Sequence, residues 1–224
     1  MNTPPTRALV LDHDGVLGEF DYRSAISLFG RLLPIDLKEL GSRWNVWLKD
    51  SLKQGPEAIT WPRFCEYLGE SLALPADKLQ ELKQVNHLDL FLAFPNAREA
   101  LEKARERGLR IAVLSNTPLV DLWALLRHLE LHDAVDVVVD SQLEGVFKPD
   151  ARAYLRVLER LNAQAPAGEP PVQAGECVFL DDEPANVAGA VAVGMRAYRV
   201  DRRRAAPALE ENVIKDLSDL HLIT

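Results

Sequence analysis

Short runs of apolar residues recur along the chain, and most of them end at a polar side chain. The first run is Ala8-Leu9-Val10-Leu11, which stops at Asp12. Continuous apolar runs of this length are typical of strands that are buried on both faces of a parallel sheet. We therefore predict strands at Ala8 to Leu11, Ile111 to Leu114, Val135 to Val139 with Asp136 as an interruption, Cys177 to Leu180, and Ala197 to Val200.

Stretches with helical periodicity separate these strands. The stretch from Pro95 to Arg107 has apolar residues on one stripe, a proline suited to a first turn, and Gly108 suited to the helix end. Similar patterns predict helices at Leu119 to Leu129, Asp150 to Leu161 and Pro184 to Val193. Strands that alternate with helices predict an α/β fold in which helices cover both faces of a parallel sheet.

The segment from Asp21 to Leu92 breaks this alternation, because it shows helical periodicity and no convincing strand. Its apolar positions fall on helical faces. The clearest sets are Leu37, Leu40, Trp44, Trp47 and Leu48, then Trp61, Phe64, Cys65 and Leu68, and then Leu79 and Leu82. We predict a helical insert after the first strand, with Trp44 and Trp47 packed in the insert's own core.

Two further segments are predicted to lie at the surface. Residues 162–176 contain APAGEPP and form a long loop between a helix and a strand. The run Arg202-Arg203-Arg204 is interpreted as a solvated surface turn, although it could also touch an anionic ligand.

Composition narrows the class of protein. The 224 residues are 47% hydrophobic, which is enough for a core, and the formal net charge of −8 argues against general binding to nucleic acid or to anionic membranes. The two cysteines, Cys65 and Cys177, have no metal-ligand spacing and suit reduced, packed thiols. With no signal-peptide core in MNTPPTR and no membrane-spanning run, we expect a cytoplasmic protein.

Carboxylates follow two of the predicted strands at the point where each strand ends. Asp12 and Asp14 follow the first strand, and Asp181 and Asp182 follow the fourth. Ligands of open parallel sheets bind beyond the carboxyl ends of the strands, so these side chains should converge on one rim. Four acids on one rim would repel each other unless a divalent cation lies among them, and oxygen ligands of this kind suit Mg²⁺. The competing interpretation is that these acids are helix N-caps, which fits Asp182 ahead of Pro184 but not the whole cluster.

Polar and cationic residues elsewhere could complete such a site. Ser115 and Asn116 follow the strand at Ile111 to Leu114, where they could donate to phosphate oxygens. Lys148 precedes Pro149 and a predicted helix, so its ammonium could neutralise a phosphate or a carboxylate. Each signal is weak alone, because strand ends are often polar and lysines are usually exposed. His13 lies between two aspartates, and we expect it to be structural or to act through its neighbours.

Four motifs in this order resemble the haloacid dehalogenase-like hydrolase superfamily. They are LVLDHDGVL around Asp12, VLSNT around Ser115, FKPD around Lys148, and VFLDDEPAN around Asp181. Four motifs in the correct order are much more specific than any one of them. The resemblance implies a Rossmann-like core of residues 1–18 and 93–224 and a helical cap domain of residues 19–92. His13 is a departure, since the family more often has an apolar or aromatic residue there.

The resemblance also implies an activity and the residues that perform it. The expected enzyme is a Mg²⁺-dependent phosphatase that hydrolyses a small phosphomonoester through an aspartyl-phosphate. Asp12 would be the nucleophile, and Asp14 would be the general acid and then the base. Ser115 and Asn116 would bind the phosphoryl group, and Lys148 would stabilise its charge.

The metal site follows from the same resemblance. Mg²⁺ would be held by the carboxylates of Asp12 and Asp182 and by the main-chain carbonyl of Asp14. Asp181 would orient a metal-bound water or bind the metal directly, and Asn186 would support it.

Several alternatives stay open at this point. A haloacid dehalogenase shares the fold and the nucleophile but needs neither Asp14 nor a metal, and a phosphomutase uses the same core and a cap. A receiver-type signalling domain is shorter and lacks the insert, and a non-catalytic phosphate-binding or regulatory protein would keep the site without turnover. The expected partner is a small phosphorylated metabolite, and the chain could be a monomer or a homodimer. Candidate contacts to the leaving group in the cap are Arg23, Arg43, Trp44, Lys49, Trp61 and Arg63.

Overall fold

A six-stranded parallel sheet organises the larger part of the chain. A computed structural model describes residues 4–117 and 120–224. The sheet has the strand order β5-β4-β1-β6-β7-β8, and two short strands, β2 and β3, pair separately. The strands are β1 (Ala8–Leu11), β2 (Gly18–Phe20), β3 (Phe91–Ala93), β4 (Arg110–Ser115), β5 (Val137–Asp140), β6 (Cys177–Asp181), β7 (Arg196–Val200) and β8 (Val213–Ile214).

The central strand β1 is apolar at every position because both of its faces are buried. Leu9 and Leu11 of β1 belong to one hydrophobic cluster, and Ala8 and Val10 belong to the cluster on the opposite face. Alternate residues of a strand point to opposite faces, so every side chain of a strand that is covered on both faces lies in an apolar environment. The α/β fold with a parallel sheet flanked by helices is therefore confirmed.

Helices cover both faces of this sheet. Alanines and a leucine of α5 pack in the cluster that contains Leu9, and α8 places Tyr154 and Val157 in the opposite cluster. The helices are α1 (Tyr22–Leu32), α2 (Leu37–Ser51), α3 (Trp61–Ser71), α4 (Ala76–Lys83), α5 (Ala97–Glu106), α6 (Leu122–His128), α7 (Ser141–Glu144), α8 (Ala151–Ala163) and α9 (Pro184–Ala192). Single 3₁₀ turns lie at Pro56–Ala58, His87–Leu90, His132–Ala134, Ala174–Glu176 and Leu209–Glu211, and a longer one at Leu217–Leu222.

The chain divides into two compact units. One is built from the N-terminal segment up to Glu19 with Ala93–Thr117 and Asp121–Thr224, and it contains the six-stranded sheet. The other is built from Phe20–Leu92 with Val120, and it contains helices α1 to α4. The division into a core of residues 1–18 and 93–224 and a cap of residues 19–92 stays a prediction.

The helical unit has its own aromatic core. The ring of Phe64 lies 5.0 Å from the rings of both Trp44 and Trp47, measured between centroids. The indole N–H of Trp61 donates to the carbonyl of Leu82 at 3.2 Å, which satisfies a polar group that is partly buried. Trp44 and Trp47 therefore serve the packing of their own unit, as expected.

Some predicted elements differ from the observed ones in length or were missed. The predicted helix Leu119 to Leu129 is observed as α6, and its expected start falls on residues outside the described part of the chain. The strand β3 begins at Phe91, although we expected no strand within the segment from Asp21 to Leu92, and β2 and β8 were also missed. These strands have two or three residues each, which is too short for a periodic signal.

None of the helices in residues 4–117 and 120–224 is both long enough and apolar enough to cross a bilayer. The cytoplasmic location expected from the sequence stays a prediction.

Two leucines test the packing of the sheet. Leu9 is 0% exposed in β1, whereas Leu155 on α8 is 52% exposed. We expect Leu9→Ala to lower the free energy of unfolding by about 2–5 kcal/mol, because it leaves a cavity at the centre of the sheet. The matched variant Leu155→Ala should stay within about 0.5 kcal/mol of wild type. Urea denaturation followed by circular dichroism measures both, and equal losses would contradict this description of the core.

Candidate active site

The carboxyl ends of four strands line up along one edge of the sheet. Leu11 pairs with Leu180 on one side and with Val113 on the other, so Asp12 and Asp181 follow neighbouring strands at the same level. On the far side of β4, Ser115 pairs with an aspartate at the end of β5. The predicted rim therefore exists, and it combines residues that are distant in sequence.

Lys148 lies at the centre of this rim. Its Nζ atom is 2.8 Å from Oδ1 of Asp12 and 2.7 Å from Oδ2 of Asp181. The lysine side chain is 1% exposed, so its charge must be paired within the protein. Lys148 was expected to neutralise a phosphate or a carboxylate, and here it bridges two carboxylates.

Asp181 is held by three groups besides the aspartate it faces. Its oxygens accept hydrogen bonds from Lys148, from the main-chain N–H of Glu183 at 2.9 Å, and from Nδ2 of Asn186 at 3.0 and 3.1 Å. The hydroxyl of Tyr154 donates to the carbonyl of Asn186 at 2.7 Å. Burial and the charge of Asp12 raise the pKa of Asp181, and Lys148 opposes this shift. Asn186 thus supports Asp181, in the position the sequence suggested.

Three carboxylates of the rim can hold a cation together. One oxygen each from Asp12, Asp181 and Asp182 lies within 4.8 Å of the others. Partial burial, followed by the charges of Asp181 and Asp12, raises the pKa of Asp182 to about 6. A carboxylate whose neighbours disfavour its charge gains most from a cation, and oxygen ligands suit Mg²⁺. The donor set therefore fits the expected metal, while the side chain of Asp14 is exposed and lies outside this group.

Asp14 opens a tight turn that depends on the following glycine. The N–H groups of Val16, Leu17 and Gly18 all point to the carbonyl of His13, and Gly15 has a φ of +74°. A Cβ atom at Gly15 would lie 2.5 Å from Cγ of Asp182. Only glycine fits this position, because both the backbone angle and the space exclude a side chain.

Asn116 fixes the main chain of Lys148. Its Nδ2 donates to the Lys148 carbonyl at 2.9 Å, and its Oδ1 accepts from the Lys148 N–H at 3.0 Å and from the Ser141 hydroxyl at 2.8 Å. The neighbouring Ser115 is buried, with its hydroxyl 2.8 Å from that of Thr117. The side chain of Asn116 was expected to bind a phosphoryl group, and in this structure it holds Lys148.

His13 is completely buried beside the site. Burial, followed by the charge of Lys148, lowers the pKa of His13 from 6.5 to about 4. Its imidazole is neutral near physiological pH, and its main-chain N–H donates to Oδ1 of Asp12 at 2.7 Å. This agrees with the expectation of a role through its neighbours.

The alternative that these acids are helix N-caps does not describe the site. The helix α9 begins after Glu183, whose side chain makes no cap bond, so Asp182 is not an N-cap. Other aspartates fill that role, and they include Asp21, Asp36, Asp121, Asp140 and Asp150. Asp150, rather than Pro149, also marks the start of the helix after Lys148.

The fold and the rim define an α/β enzyme with a buried lysine between acidic side chains. Comparison with known proteins gives its family. The chain matches the haloacid dehalogenase-like hydrolase family over residues 6–194, and it belongs to this family. It is therefore an enzyme of the hydrolase class, and the resemblance seen in the four motifs is confirmed.

Curated relatives and a solved structure agree with this assignment. The chain is 38% identical over 219 residues to "Phosphatase MT3486" of Mycobacterium tuberculosis, and the aligned region covers 96% of this chain and 95% of that protein. It is 28% identical over 202 residues to "Phosphorylated carbohydrates phosphatase" of Thermotoga maritima, covering 86% and 84%. A 2-haloacid dehalogenase structure from Pseudomonas syringae matches at a TM-score of 0.68 with 22% identity, covering 97% of each chain, and this likeness shows the fold.

The buried histidine gives a prediction for stability against pH. The pKa of His13 is about 4 in the folded chain and 6.5 as an ordinary value, so between these values the unfolded chain binds a proton that the folded chain does not. Lowering the pH from about 7 to about 4.5 should therefore cost on the order of 2 kcal/mol through this residue. His13→Gln should remove that part of the pH dependence.

The matched control is His132→Gln, because His132 is exposed. Urea denaturation in the presence of chelator gives the free energy of unfolding at both pH values. The difference between the two values is then compared for wild type, His13→Gln and His132→Gln. If His13→Gln and His132→Gln both keep the wild-type pH dependence, the buried neutral imidazole is not the cause.

Proposed function

We propose that this hydrolase is a Mg²⁺-dependent phosphatase that acts on a small phosphomonoester through an aspartyl-phosphate on Asp12. The observation that supports this most strongly is the arrangement of Lys148 between Asp12 and Asp181, with Asp182 beside them. A carboxylate attacks a phosphate dianion only when positive charge offsets the repulsion between the two. The lysine supplies one such charge, and the three carboxylates suit a divalent cation.

The two carboxylate oxygens of Asp12 have different contacts, and these contacts suggest which oxygen attacks phosphorus. The main-chain N–H of His13 and the ammonium of Lys148 both contact Oδ1, so we assign the attack to Oδ2. Attack by Oδ2 on phosphorus forms the aspartyl-phosphate as the bond to the leaving oxygen breaks. That oxygen takes its proton from Asp14, which then accepts a proton from the water that attacks phosphorus. Inorganic phosphate leaves, and Asp12 returns as a carboxylate.

The two members of the Asp181-Asp182 pair have different proposed roles. Because Lys148, Glu183 and Asn186 already donate to Asp181, it would orient the lysine rather than act as the main metal ligand. Mg²⁺ would be held by Asp12, Asp182 and the Asp14 carbonyl, and when bound it supplies charge neutralisation for the transferred phosphoryl group. Ser115 would donate to a phosphoryl oxygen.

The substrate class is a small soluble phosphate. The Thermotoga maritima relative is named for phosphorylated carbohydrates, which supports sugar phosphates as the first panel to test. A dehalogenase activity is the second candidate, supported by the fold of the Pseudomonas syringae enzyme. Asp14 and Asp182 favour the phosphatase, because carbon–halogen cleavage needs neither a general acid nor a metal.

The decisive test of this proposal compares two aspartates. Purified protein is assayed with an aryl phosphate in the presence of Mg²⁺ or chelator, beside Asp12→Asn. We expect turnover that requires Mg²⁺ and falls roughly a thousandfold or more in Asp12→Asn. The matched variant Asp133→Asn changes an exposed aspartate paired with Arg98 and should keep wild-type activity. Turnover that survives in Asp12→Asn would rule out the proposed nucleophile, and dehalogenation of a 2-haloacid without phosphatase activity would favour the second candidate.

Asn116 gives an independent prediction, since we assign it to the placement of Lys148. Asn162 makes the same pair of bonds to the main chain of another residue. Its Nδ2 donates to the carbonyl of Val172 at 3.1 Å, and its Oδ1 accepts from the N–H of Val172 at 2.7 Å. Asn116→Ala and Asn162→Ala should lower the free energy of unfolding by comparable amounts, about 1–2 kcal/mol. Only Asn116→Ala should lower kcat, by about ten- to a hundredfold, because the ammonium loses its position. Equal kcat values for the two variants would contradict this role.

A further inference from the structure

Arg202 occupies a position that the sequence did not predict. We interpreted Arg202-Arg203-Arg204 as a solvated turn, and this is wrong for the first of the three. Nε of Arg202 donates to the carbonyl of Gly15 at 3.1 Å, and Nη2 donates to the carbonyl of Val16 at 2.7 Å. The neighbouring Arg203 has a side chain that is 93% exposed. The turn thus sends one arginine inward, and that arginine reaches a loop distant in sequence.

The contact is well suited to hold a backbone segment. An arginine presents its N–H groups in a rigid plane, so two successive carbonyls can be fixed at once. The guanidinium also lies 3.5 Å above the ring centroid of Phe94, which holds its plane. Phe94 in turn donates its main-chain N–H to the carbonyl of Leu17 at 2.9 Å. Both the side chain above Phe94 and the backbone of Phe94 therefore fasten the same turn.

Arg202 and Phe94 anchor different carbonyls of this turn. The N–H groups of residues 16–18 converge on the carbonyl of His13, and the N–H of Phe94 holds the carbonyl of Leu17, so neither set of bonds fixes the carbonyls of Gly15 and Val16. Arg202 fixes both of them from the segment after β7. Burial lowers the pKa of its guanidinium, while the charges of Asp216 and Glu19 oppose this shift. A partly desolvated charge at this place is costly, and its hydrogen bonds to the turn offset that cost.

The turn that Arg202 holds is adjacent to the acidic groups of the site. Asp14 directly precedes Gly15, and the Cα of Gly15 packs so closely on Asp182 that a Cβ would overlap its carboxylate. A displacement of the turn therefore moves Asp14 and changes the space available to Asp182.

We propose that Arg202 is a positioning residue, which holds the Gly15–Val16 turn so that Asp14 can protonate the leaving group. This inference rests on the proposed phosphatase function. In this role Arg202 does not touch the substrate, and its effect passes through the backbone to Asp14.

The test uses the dependence of turnover on the leaving group. An alkyl phosphate needs a proton on its leaving oxygen, whereas an activated aryl phosphate needs it much less. Arg202→Gln should lower kcat/KM for the alkyl phosphate about ten- to a hundredfold and should change kcat/KM for the aryl phosphate much less, in the same pattern as Asp14→Asn. The ratio kcat/KM is compared because it reports formation of the aspartyl-phosphate and not its hydrolysis, in which Asp14 acts for both substrates. A general loss of structure would lower both rates equally.

Two further variants and a measurement of hydrogen exchange distinguish the positioning role from a general loss of structure. Arg203→Gln changes the exposed neighbour and should match wild type with both substrates. Arg202→Lys keeps the charge but not the paired bonds, and it should show an intermediate loss. Hydrogen–deuterium exchange of the peptide that contains residues 13–18 should speed up in Arg202→Gln and not in Arg203→Gln, and this readout needs no turnover.

The outcomes separate this inference from the proposed function. If wild type hydrolyses neither phosphate, the proposed function fails, and the exchange data alone decide whether Arg202 holds the turn. If wild type is active while Arg202→Gln shows equal losses for both substrates, or unchanged exchange, the positioning role is overturned.

Discussion

A buried ammonium between two carboxylates is the interaction on which the rest of the site depends. Lys148 is in contact with Asp12 and Asp181 and has almost no access to water. Removing one partner of such a group leaves an uncompensated charge in the interior, which is strongly destabilising. The surrounding structure is arranged accordingly, since Asn116 fixes the lysine's backbone and Asn186 fixes the far carboxylate.

The same arrangement distinguishes aspartates that look alike in sequence. Asp12 and Asp181 are buried and paired with Lys148, whereas Asp14 and Asp182 lie at the exposed side of the rim. Burial and pairing favour a fixed carboxylate with a defined oxygen for attack. Exposure next to other acids favours proton exchange and cation binding. The division of labour in the proposed mechanism follows from these environments.

Most strands of the sheet and the acidic residues at their ends could be predicted from the sequence, because each gives a signal within a few consecutive residues. The continuous apolar runs identified five of the six strands of the sheet, and the acids at their ends marked the rim. The contacts of Asn116 and Arg202 could not be predicted, because each depends on a segment distant in the chain. Asn116 reaches across 32 positions to Lys148, and Arg202 reaches across 187 positions to Gly15. An asparagine after a strand and an arginine in a basic turn carry no local signal that distinguishes anchoring from surface exposure.

In the proposed mechanism Asp12 forms a covalent bond to phosphorus, and trapping the aspartyl-phosphate tests this step. Wild-type protein is mixed with a phosphomonoester and Mg²⁺, quenched in acid during turnover, digested with protease, and examined by mass spectrometry. We expect a phosphoryl group on the peptide that contains Asp12, and none on the same peptide of Asp12→Asn. Phosphorylation at another residue, or steady turnover with no phosphorylated peptide at all, would contradict this mechanism.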